Sequence, residues 1–328
     1  MSGPITSLLR PRVGLALGGG AARGFAHLGV LQVLEERDLR PAAVAGTSIG
    51  AILGGLWASD PRTESMRQAL VEYLRSRRFR DVQLDYLHDD PKDKSGWAER
   101  VARAVKRGVF FGRFYLKESF IPEPIYREHF VQLLPDARIE SLPTPFAAMA
   151  SDLISGRGVT IRTGTLRDAA LASGAIPGVM PPIPYQAMVL VDGVASDRVP
   201  VRALIDMSVD VVIAIDVASD FRTILPSLRR GVAVHDRAGM TTEWNLREVR
   251  TRIADLVVWP DVTAINPLDF PAALPAIDRG RDAMIAALPK LRSAIRRAWV
   301  LRWAGQTRVA RARRLTARGW LGSPPVTI

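Results

Sequence analysis

Ser48 is the centre of a G-x-S-x-G pattern, which reads Gly46-Thr47-Ser48-Ile49-Gly50 in this chain. A serine hydroxyl can attack an acyl carbonyl when a sharp turn lifts it clear of a sheet, and small neighbours relieve the crowding of that turn. The residues before the pattern predict a strand. Those after it predict a helix, whose positive end would face a developing oxyanion. The pentapeptide alone is common by chance, but this setting favours a catalytic serine.

A glycine-rich turn, Gly18-Gly19-Gly20-Ala21-Ala22-Arg23-Gly24, lies between the first predicted strand and the first predicted helix. Its backbone N–H groups can bind an anion. The competing interpretation is a dinucleotide fingerprint, G-x-G-x-x-G. Counting from Gly18 places Arg23 at the sixth position, however, and no acidic residue ends the second strand to bind a ribose. An oxyanion loop facing Ser48 is therefore favoured over a nucleotide loop.

The general base for Ser48 has two kinds of candidate. The four histidines are His27, His88, His129 and His235. The first opens a predicted helix, where a capping or packing role is more frequent, and the other three lie in polar stretches. Asp192 is the alternative, because it ends a predicted strand and precedes a glycine. A carboxylate held against the Ser48 hydroxyl can act as general base in a two-residue site, and a simple turn aspartate is the competing interpretation.

Short apolar runs alternate with helical patterns, which predicts an α/β three-layer fold. Strands are predicted at Val13–Leu17, Ala42–Ala45, Phe146–Ala150, Val159–Arg162, Met188–Val191, Val209–Val217 and Asp255–Trp259. Helices are predicted over His27–Arg37, from the G-x-S-x-G turn through Trp57, and over about 271–304. The segment 61–135 is polar and helical in pattern.

An aromatic cluster within this polar segment allows two interpretations. It consists of Phe110, Phe111, Phe114, Tyr115 and Phe120. The rings predict either a part of the core or the lining of an acyl-chain channel or lid. The core is the more frequent role for such a cluster.

Composition excludes several classes of protein. The 328 residues include no cysteine, which excludes disulfides, thiol nucleophiles and cysteine-ligated metals, and a hydrophobic content of 48% is too high for a disordered chain. The uncharged windows 41–59 and 169–191 contain glycines and prolines that disfavour a membrane span. The first residues lack the apolar run of a secretory signal. A cytoplasmic protein, either soluble or peripheral at the inner face of a membrane, is expected.

The net charge of +12 is concentrated at one end of the chain. Ten basic and no acidic residues lie between Pro289 and Ile328, which leaves 35 basic against 33 acidic residues, or +2, over the first 288. Ile295, Trp299 and Trp303 recur at helical spacing among the arginines, as in helices that lie on anionic membranes. A solvated basic tail is an equally favoured interpretation, and nucleic-acid binding is a less favoured one.

These segments resemble the patatin-like phospholipases, specifically the bacterial group close to the catalytic domain of neuropathy target esterase. The resemblance covers about residues 11–290. It is carried by GLALGGGAARGFAHLGVLQVLEE, VAGTSIGAILGGLWA, SDLISGRGVTIRTGTLRDAALASGAIPGVMPPI, LVDGVASDRVPV and VVIAIDVAS. It implies a three-layer α/β/α domain with a mainly parallel central sheet over 11–292, followed by a basic tail, 293–328, that is helical or disordered.

The resemblance also implies a site and an activity. Ser48 and Asp192 match the Ser–Asp dyad of the family. The turn around the family's nucleophile is matched by Gly46, Thr47, Ile49 and Gly50. The family's oxyanion hole is matched by Gly19, Gly20 and Ala21 of the glycine loop, which Arg23 fixes. The implied reaction is hydrolysis of a phospholipid or lysophospholipid ester through an acyl-serine, with no metal and no cofactor. An acyltransferase and a non-catalytic module that binds membranes or nucleic acid are the alternatives.

Two positions depart from the motifs of the family. Ala21 stands where the family often has a fourth glycine. Alanine keeps its N–H, so an oxyanion role is expected if the loop needs no positive φ there. Val194 follows Asp192-Gly193 where the family has glycine or alanine. A β-branched residue tolerates positive φ poorly, so a different turn is expected after Asp192.

Overall fold

The structure is a computed structural model and describes residues 11–77, 79, 119, 121–218, 231–303 and 325–328. His88 and the aromatic cluster at 110–120 lie outside these residues. Within them the strands are β1 (Val13–Leu17), β2 (Ala43–Thr47), β3 (Phe146–Asp152), β4 (Gly158–Ile161), β5 (Ile183–Tyr185), β6 (Met188–Asp192), β7 (Val211–Ile215), β8 (Leu256–Val258) and β9 (Val326–Thr327).

The helices lie between these strands. They are α1 (Ala26–Glu36), α2 (Ile49–Ser59), α3 (Thr63–Arg75), α4 (Glu123–Leu133), α5 (Leu166–Ser173), α6 (Val201–Ile205), α7 (Gly231–Thr251) and α8 (Ala276–Trp303). Short 3₁₀ helices cover Ala21–Phe25, Ile139–Ser141, Gly193–Ala195 and Pro271–Ala273. The start of α5 shows the local chemistry: the Thr165 hydroxyl accepts a hydrogen bond from the Asp168 N–H, as is typical of a helix N-cap.

The central sheet is mainly parallel. Its parallel part has the strand order β3-β2-β1-β7-β8, and β6 and β5 extend it beyond β3 in antiparallel pairing. The remaining strands form an arm, in which β4 pairs antiparallel with β3 and parallel with β9. Because β1 and β2 are parallel neighbours, the loops that follow Leu17 and Thr47 emerge side by side at the carboxyl edge of the sheet, where open α/β sheets place their sites.

Side chains of the central strands alternate between two apolar layers. Leu15 and Leu17 point into the larger core with α1, α2 and α8, whereas Ala16 points into a smaller core with α6. This is the period-2 alternation of a strand that is covered on both faces. The predicted α/β three-layer fold is confirmed.

All seven strands predicted from the sequence are present, with ends that differ by at most two residues. Two further strands escaped prediction. β5 contains Pro184, which lacks an N–H and is tolerated at a sheet edge but disfavours a strand assignment. β9 is two residues long and is defined by its pairing partner: Ile328 N–H donates to Thr160 O at 3.0 Å, and Arg162 N–H donates to Ile328 O at 2.6 Å.

The described parts of the tail belong to regular elements. α8 is continuous from Ala276 to Trp303, so the boundary predicted between 292 and 293 falls inside a helix. The last described residues pair with the sheet through β9. Across the described ranges, every helix is too short or too polar to span a membrane.

Candidate active site

Ser48 occupies a sharp turn between β2 and α2. Its backbone has φ 56° and ψ −126°, a conformation that costs a non-glycine residue of order 1–3 kcal/mol. The flanking glycines make the turn possible, because a Cβ on Gly46 would lie 2.2 Å from Gly50 O and one on Gly50 would lie 2.2 Å from Leu17 O. The predicted strand–turn–helix setting is confirmed, and both glycines of the pattern are sterically required.

Ser48 and Asp192 are in direct contact. Ser48 Oγ donates to Asp192 Oδ2 at 2.6 Å, although the two residues are 144 positions apart. The Ser48 N–H donates to Ser173 Oγ at 2.9 Å, and the Ser173 hydroxyl donates to Met149 O at 2.6 Å. Ser173, at the end of α5, therefore holds the backbone of the turn. No chemical pattern around Ser173 marked it in the sequence.

The turn after Asp192 needs no positive φ at its valine. Gly193–Ala195 form a 3₁₀ turn, Val194 does not have positive φ, and the Val194 N–H donates to Asp192 Oδ1 at 2.9 Å. The β-branched side chain is therefore compatible with the turn. Gly193 cannot be replaced by a residue with a side chain, because a Cβ there would lie 2.2 Å from Met149 O.

Burial sets the basicity of Asp192. Its side chain is almost completely buried, which raises its pKa from 3.8 to about 6. Loss of hydration disfavours the charged form, while the hydrogen bond from Ser48 and the nearby Arg198 charge oppose the rise. A carboxylate with this pKa is ionised at neutral pH and is a stronger proton acceptor than an ordinary aspartate.

The glycine loop passes directly beside Ser48. A Cβ on Gly19 would lie 3.3 Å from Ser48 Cβ and 2.5 Å from Val194 Cγ2. The Gly19 N–H already donates to Arg198 O at 3.0 Å, so it is engaged within the protein. Among the described residues, the N–H groups of Gly20 and Ala21 have no hydrogen-bond partner. Of the three predicted oxyanion donors, Gly20 and Ala21 are the two with N–H groups available to a ligand.

Ala21 has φ 49°, so the loop adopts a positive φ at this position and the condition stated for its oxyanion role is not met. A left-handed conformation costs alanine about 1–2 kcal/mol, which is small enough for the surrounding contacts to maintain. Arg23 supplies part of that support. Its Nε donates to Ile265 O at 2.8 Å and its Nη2 donates to Thr263 O at 3.2 Å.

Among the described residues no histidine is hydrogen-bonded to the Ser48 hydroxyl, although His129 lines the cavity beside it. His27 is buried in α1 with its Nε2 2.8 Å from Gly18 O, and burial lowers its pKa to about 4. It is therefore neutral, and its N–H holds the start of the glycine loop. His129 pairs with Tyr73 at 2.9 Å, and His235 is exposed on α7. In the parts of the chain that the structure describes, no cluster of three or more His, Asp or Glu side chains could hold a metal ion.

An apolar cavity of about 690 Å³ opens beside Ser48. It is lined mainly by aliphatic and aromatic side chains, among them Phe25, Ile52, Leu70, Phe130, Met180 and Phe270. Its volume lies within the range of small-molecule sites. The Ser48–Asp192 pair, two available amides and an apolar cavity thus converge on one point.

A family model described as patatin-like phospholipase matches residues 15–205. The chain belongs to this family.

Curated relatives place this patatin-like protein close to neuropathy target esterase. It is 32% identical over 247 residues to an NTE family protein of Mycobacterium tuberculosis, a stretch that covers 74% of this chain and 57% of the relative. It is 30% identical over 207 residues to lysophospholipase nte1 of Emericella nidulans, covering 63% of this chain and 12% of that protein. The chain thus spans little more than half of the mycobacterial relative and a small part of the fungal one.

The solved structures that align with this chain have distant sequences and TM-scores below 0.5. VipD from Legionella pneumophila aligns over 85% of this chain and 67% of its own, with a TM-score of 0.44 and 13% identity. Human GIVD cytosolic phospholipase A2 aligns over 89% of this chain and 60% of its own, with a TM-score of 0.46 and 12% identity.

Proposed function

We propose that this patatin-like protein is a serine acyl-ester hydrolase that acts on phospholipids or lysophospholipids. The observation that carries the proposal is the 2.6 Å contact between Ser48 Oγ and Asp192 Oδ2 beside the apolar cavity. A base within hydrogen-bond reach activates a serine, and a cavity of this kind accepts an acyl chain. Membership of the family and the lysophospholipase names of relatives support the same substrate class.

The proposed reaction has two halves. Ser48 Oγ attacks the ester carbonyl carbon while its proton passes to Asp192, and the carbonyl oxygen becomes an oxyanion that the amides of Gly20 and Ala21 stabilise. The bond to the leaving alcohol then breaks, the alcohol takes the proton from Asp192, and an acyl-serine is left. A water molecule next gives a proton to Asp192 and attacks the acyl carbon. Ser48 recovers that proton as the fatty acid leaves.

Substitution of either member of the dyad tests this reaction. Ser48→Ala and Asp192→Asn are each expected to lower kcat/KM for a lysophospholipid, and for a short p-nitrophenyl ester, by at least about 1,000-fold, the scale seen when a nucleophile or its base is removed. Thermal unfolding of each variant checks that the fold is kept.

Ser141→Ala is the matched control, because Ser141 is exposed and its hydroxyl donates to the local carbonyl of Arg138 at 2.8 Å. A fluorophosphonate probe, which bonds covalently to activated serines, should label the wild type and this control but not Ser48→Ala. Wild-type activity in Ser48→Ala would contradict the dyad. A wild type that stays unlabelled under several lipid conditions would instead favour a non-catalytic binding module.

The proposal extends to a peripheral contact between the basic tail, 293–328, and an anionic membrane. Trp299 and Trp303 are exposed on α8, and so are the neighbouring Arg296 and Arg297. Tryptophan favours the boundary between water and lipid, and arginine favours anionic headgroups. A lipid surface at the cytoplasmic side of a membrane, rather than a nucleic acid, is therefore the proposed partner.

A further inference from the structure

A second cavity meets the apolar cavity at Ser48. It has a volume of about 470 Å³ and shares Ala21, Ser48 and Ile176 with the apolar cavity. When the carbonyl carbon of an ester lies at Ser48, its acyl part and its alcohol part extend in different directions. If the apolar cavity takes the acyl chain, the second cavity is left for the alcohol, which is the leaving group.

The lining of the second cavity is largely apolar but includes five charged residues: Arg23, Arg198, Arg247, Asp192 and Glu243. Asp192 is engaged with the Ser48 hydroxyl. Glu243 is therefore the carboxylate of the lining that a ligand could displace without breaking the hydrogen bond of the dyad, although its charge contributes to the raised pKa of Asp192.

Arg198 connects this cavity to the glycine loop. Its Nη1 donates to Gly19 O at 2.8 Å, and its Nε donates to the carboxylate of Glu243. A guanidinium carries five N–H donors in a planar fork, and that fork matches the oxygens of carboxylates and phosphates alike. The Glu243 carboxylate thus occupies a position at Arg198 that a phosphate group could take.

The helix that carries Glu243, α7, is anchored by contacts in which Glu243 takes no part. Arg247, one turn further along α7, is buried, lies 3.1 Å from Asp216 Oδ2 and stacks over the Trp244 ring at 4.1 Å. The side chain of Glu243 is 33% exposed. The side chain of Arg198 is 17% exposed, so water reaches the Glu243 end of this ion pair more than the arginine end. The contacts of Arg247 do not involve Glu243 and would remain if a ligand replaced its carboxylate at Arg198.

We infer that the second cavity binds a phosphate-bearing headgroup, that Arg198 donates to its phosphate, and that Glu243 competes with the phosphate for Arg198. The inference rests on the proposed function, since it assigns the leaving-group side of the same reaction. It predicts that esters whose alcohol carries a phosphate, such as lysophospholipids, are preferred over uncharged monoacylglycerols.

Removal of the competing charge is the sharpest test, because Arg198 also supports Gly19 and its loss would impair every substrate. Glu243→Gln is expected to lower the KM for a lysophospholipid by about threefold or more, the scale of a partly exposed ion pair. The KM for a monoacylglycerol of the same acyl chain should stay within about twofold. Glu248→Gln removes the same charge from an exposed position of α7 and should leave both values unchanged.

Direct binding tests the cavity without turnover. Calorimetric titration of Ser48→Ala with glycerol 3-phosphate should give a measurable affinity that rises about threefold or more when Glu243→Gln is added, whereas glycerol should not bind. Equal affinity for inorganic phosphate would indicate a site for the free anion and would overturn the assignment to a headgroup.

The two proposals fail in different ways. Ester hydrolysis that depends on Ser48 but shows no headgroup-selective effect of Glu243→Gln would overturn this inference alone. Hydrolysis that survives Ser48→Ala would overturn the proposed function, whatever glycerol 3-phosphate does.

Discussion

At the scale of single residues, the candidate site depends on a carboxylate with altered acidity and on backbone held in unusual conformations. Burial raises the pKa of Asp192 to about 6. Ser48 and Ala21 both have positive φ, at 56° and 49°. Such conformations persist only where the surrounding contacts enforce them. The contacts that do so here come from Ser173 in α5 and from the carbonyls of Ile265 and Thr263, to which Arg23 donates.

The raised pKa of Asp192 predicts an acid limb in the activity profile. The proposed base accepts a proton from Ser48 only when it is ionised, so kcat/KM for an uncharged p-nitrophenyl ester should fall about tenfold per pH unit below about 6 and level off above it. Steady-state kinetics on either side of that value measure the limb, and circular dichroism at each pH controls for unfolding. A limb near the ordinary aspartate value of about 3.9 would contradict the assignment of Asp192 as a buried base.

At the scale of elements, two glycines let α1 and α8 approach unusually closely. A Cβ on Gly29 would lie 1.9 Å from Ile277 O, and one on Gly280 would lie 1.9 Å from Ala26 O. α1 follows the glycine loop through the 3₁₀ helix Ala21–Phe25. The packing of α8 on α1 therefore helps to set where the loop lies relative to Ser48.

Gly280→Ala should destabilise the protein, because the added methyl group overlaps the carbonyl of Ala26. We expect the free energy of unfolding to fall by about 1–3 kcal/mol, the usual cost of overpacking, and kcat/KM to fall as the loop shifts. Urea denaturation measures the first effect. Gly239→Ala is the matched control, since a Cβ there meets nothing within 4 Å on α7. It should stabilise the protein by about 0.5–1 kcal/mol, and an equal loss in both variants would contradict the close crossing.

At the scale of the whole molecule, the candidate site and the end of α8 lie at opposite edges of the sheet. Ser48 follows β2 at the carboxyl edge. Asp210, which precedes β7 at the amino edge, accepts from Arg302 Nη1 at 2.6 Å and from Arg12 N–H at 2.7 Å. Strands of five residues separate these edges by about 16 Å. A membrane that Trp303 contacts therefore lies at the amino edge of the sheet, whereas the candidate site lies at the carboxyl edge.

This separation predicts that membrane binding and catalysis can be uncoupled. The double variant Trp299→Ala/Trp303→Ala should lower the fraction of protein that sediments with phosphatidylglycerol vesicles by about threefold or more, because each substitution removes an interfacial side chain. Hydrolysis of a soluble ester should not change. Trp259→Ala, which removes an exposed tryptophan from the carboxyl edge after β8, should leave vesicle binding intact. Equal losses in both proteins, or none in either, would contradict a membrane contact through α8.

The features of this protein that depend on neighbouring residues were predictable from the sequence. The short apolar runs of β1 and β2, the glycines that permit the Ser48 turn and the helices that follow are local effects of side-chain size and backbone freedom, and they were predicted correctly. The pattern around Asp192 was equally local, but it left a dyad and a simple turn aspartate as alternatives until the resemblance to the family favoured the dyad.

Other features of the site depend on residues far apart in the chain and are seen only in the folded structure. Folding brought Asp192 to Ser48 across 144 positions, directed the Gly19 N–H to Arg198 and held Ala21 at positive φ. It also formed β5 and β9 and brought two cavities together at Ser48. The physical reason is that burial, hydrogen-bond partners and steric limits at these positions come from elements far away in the chain. Local propensity therefore carries no signal for them.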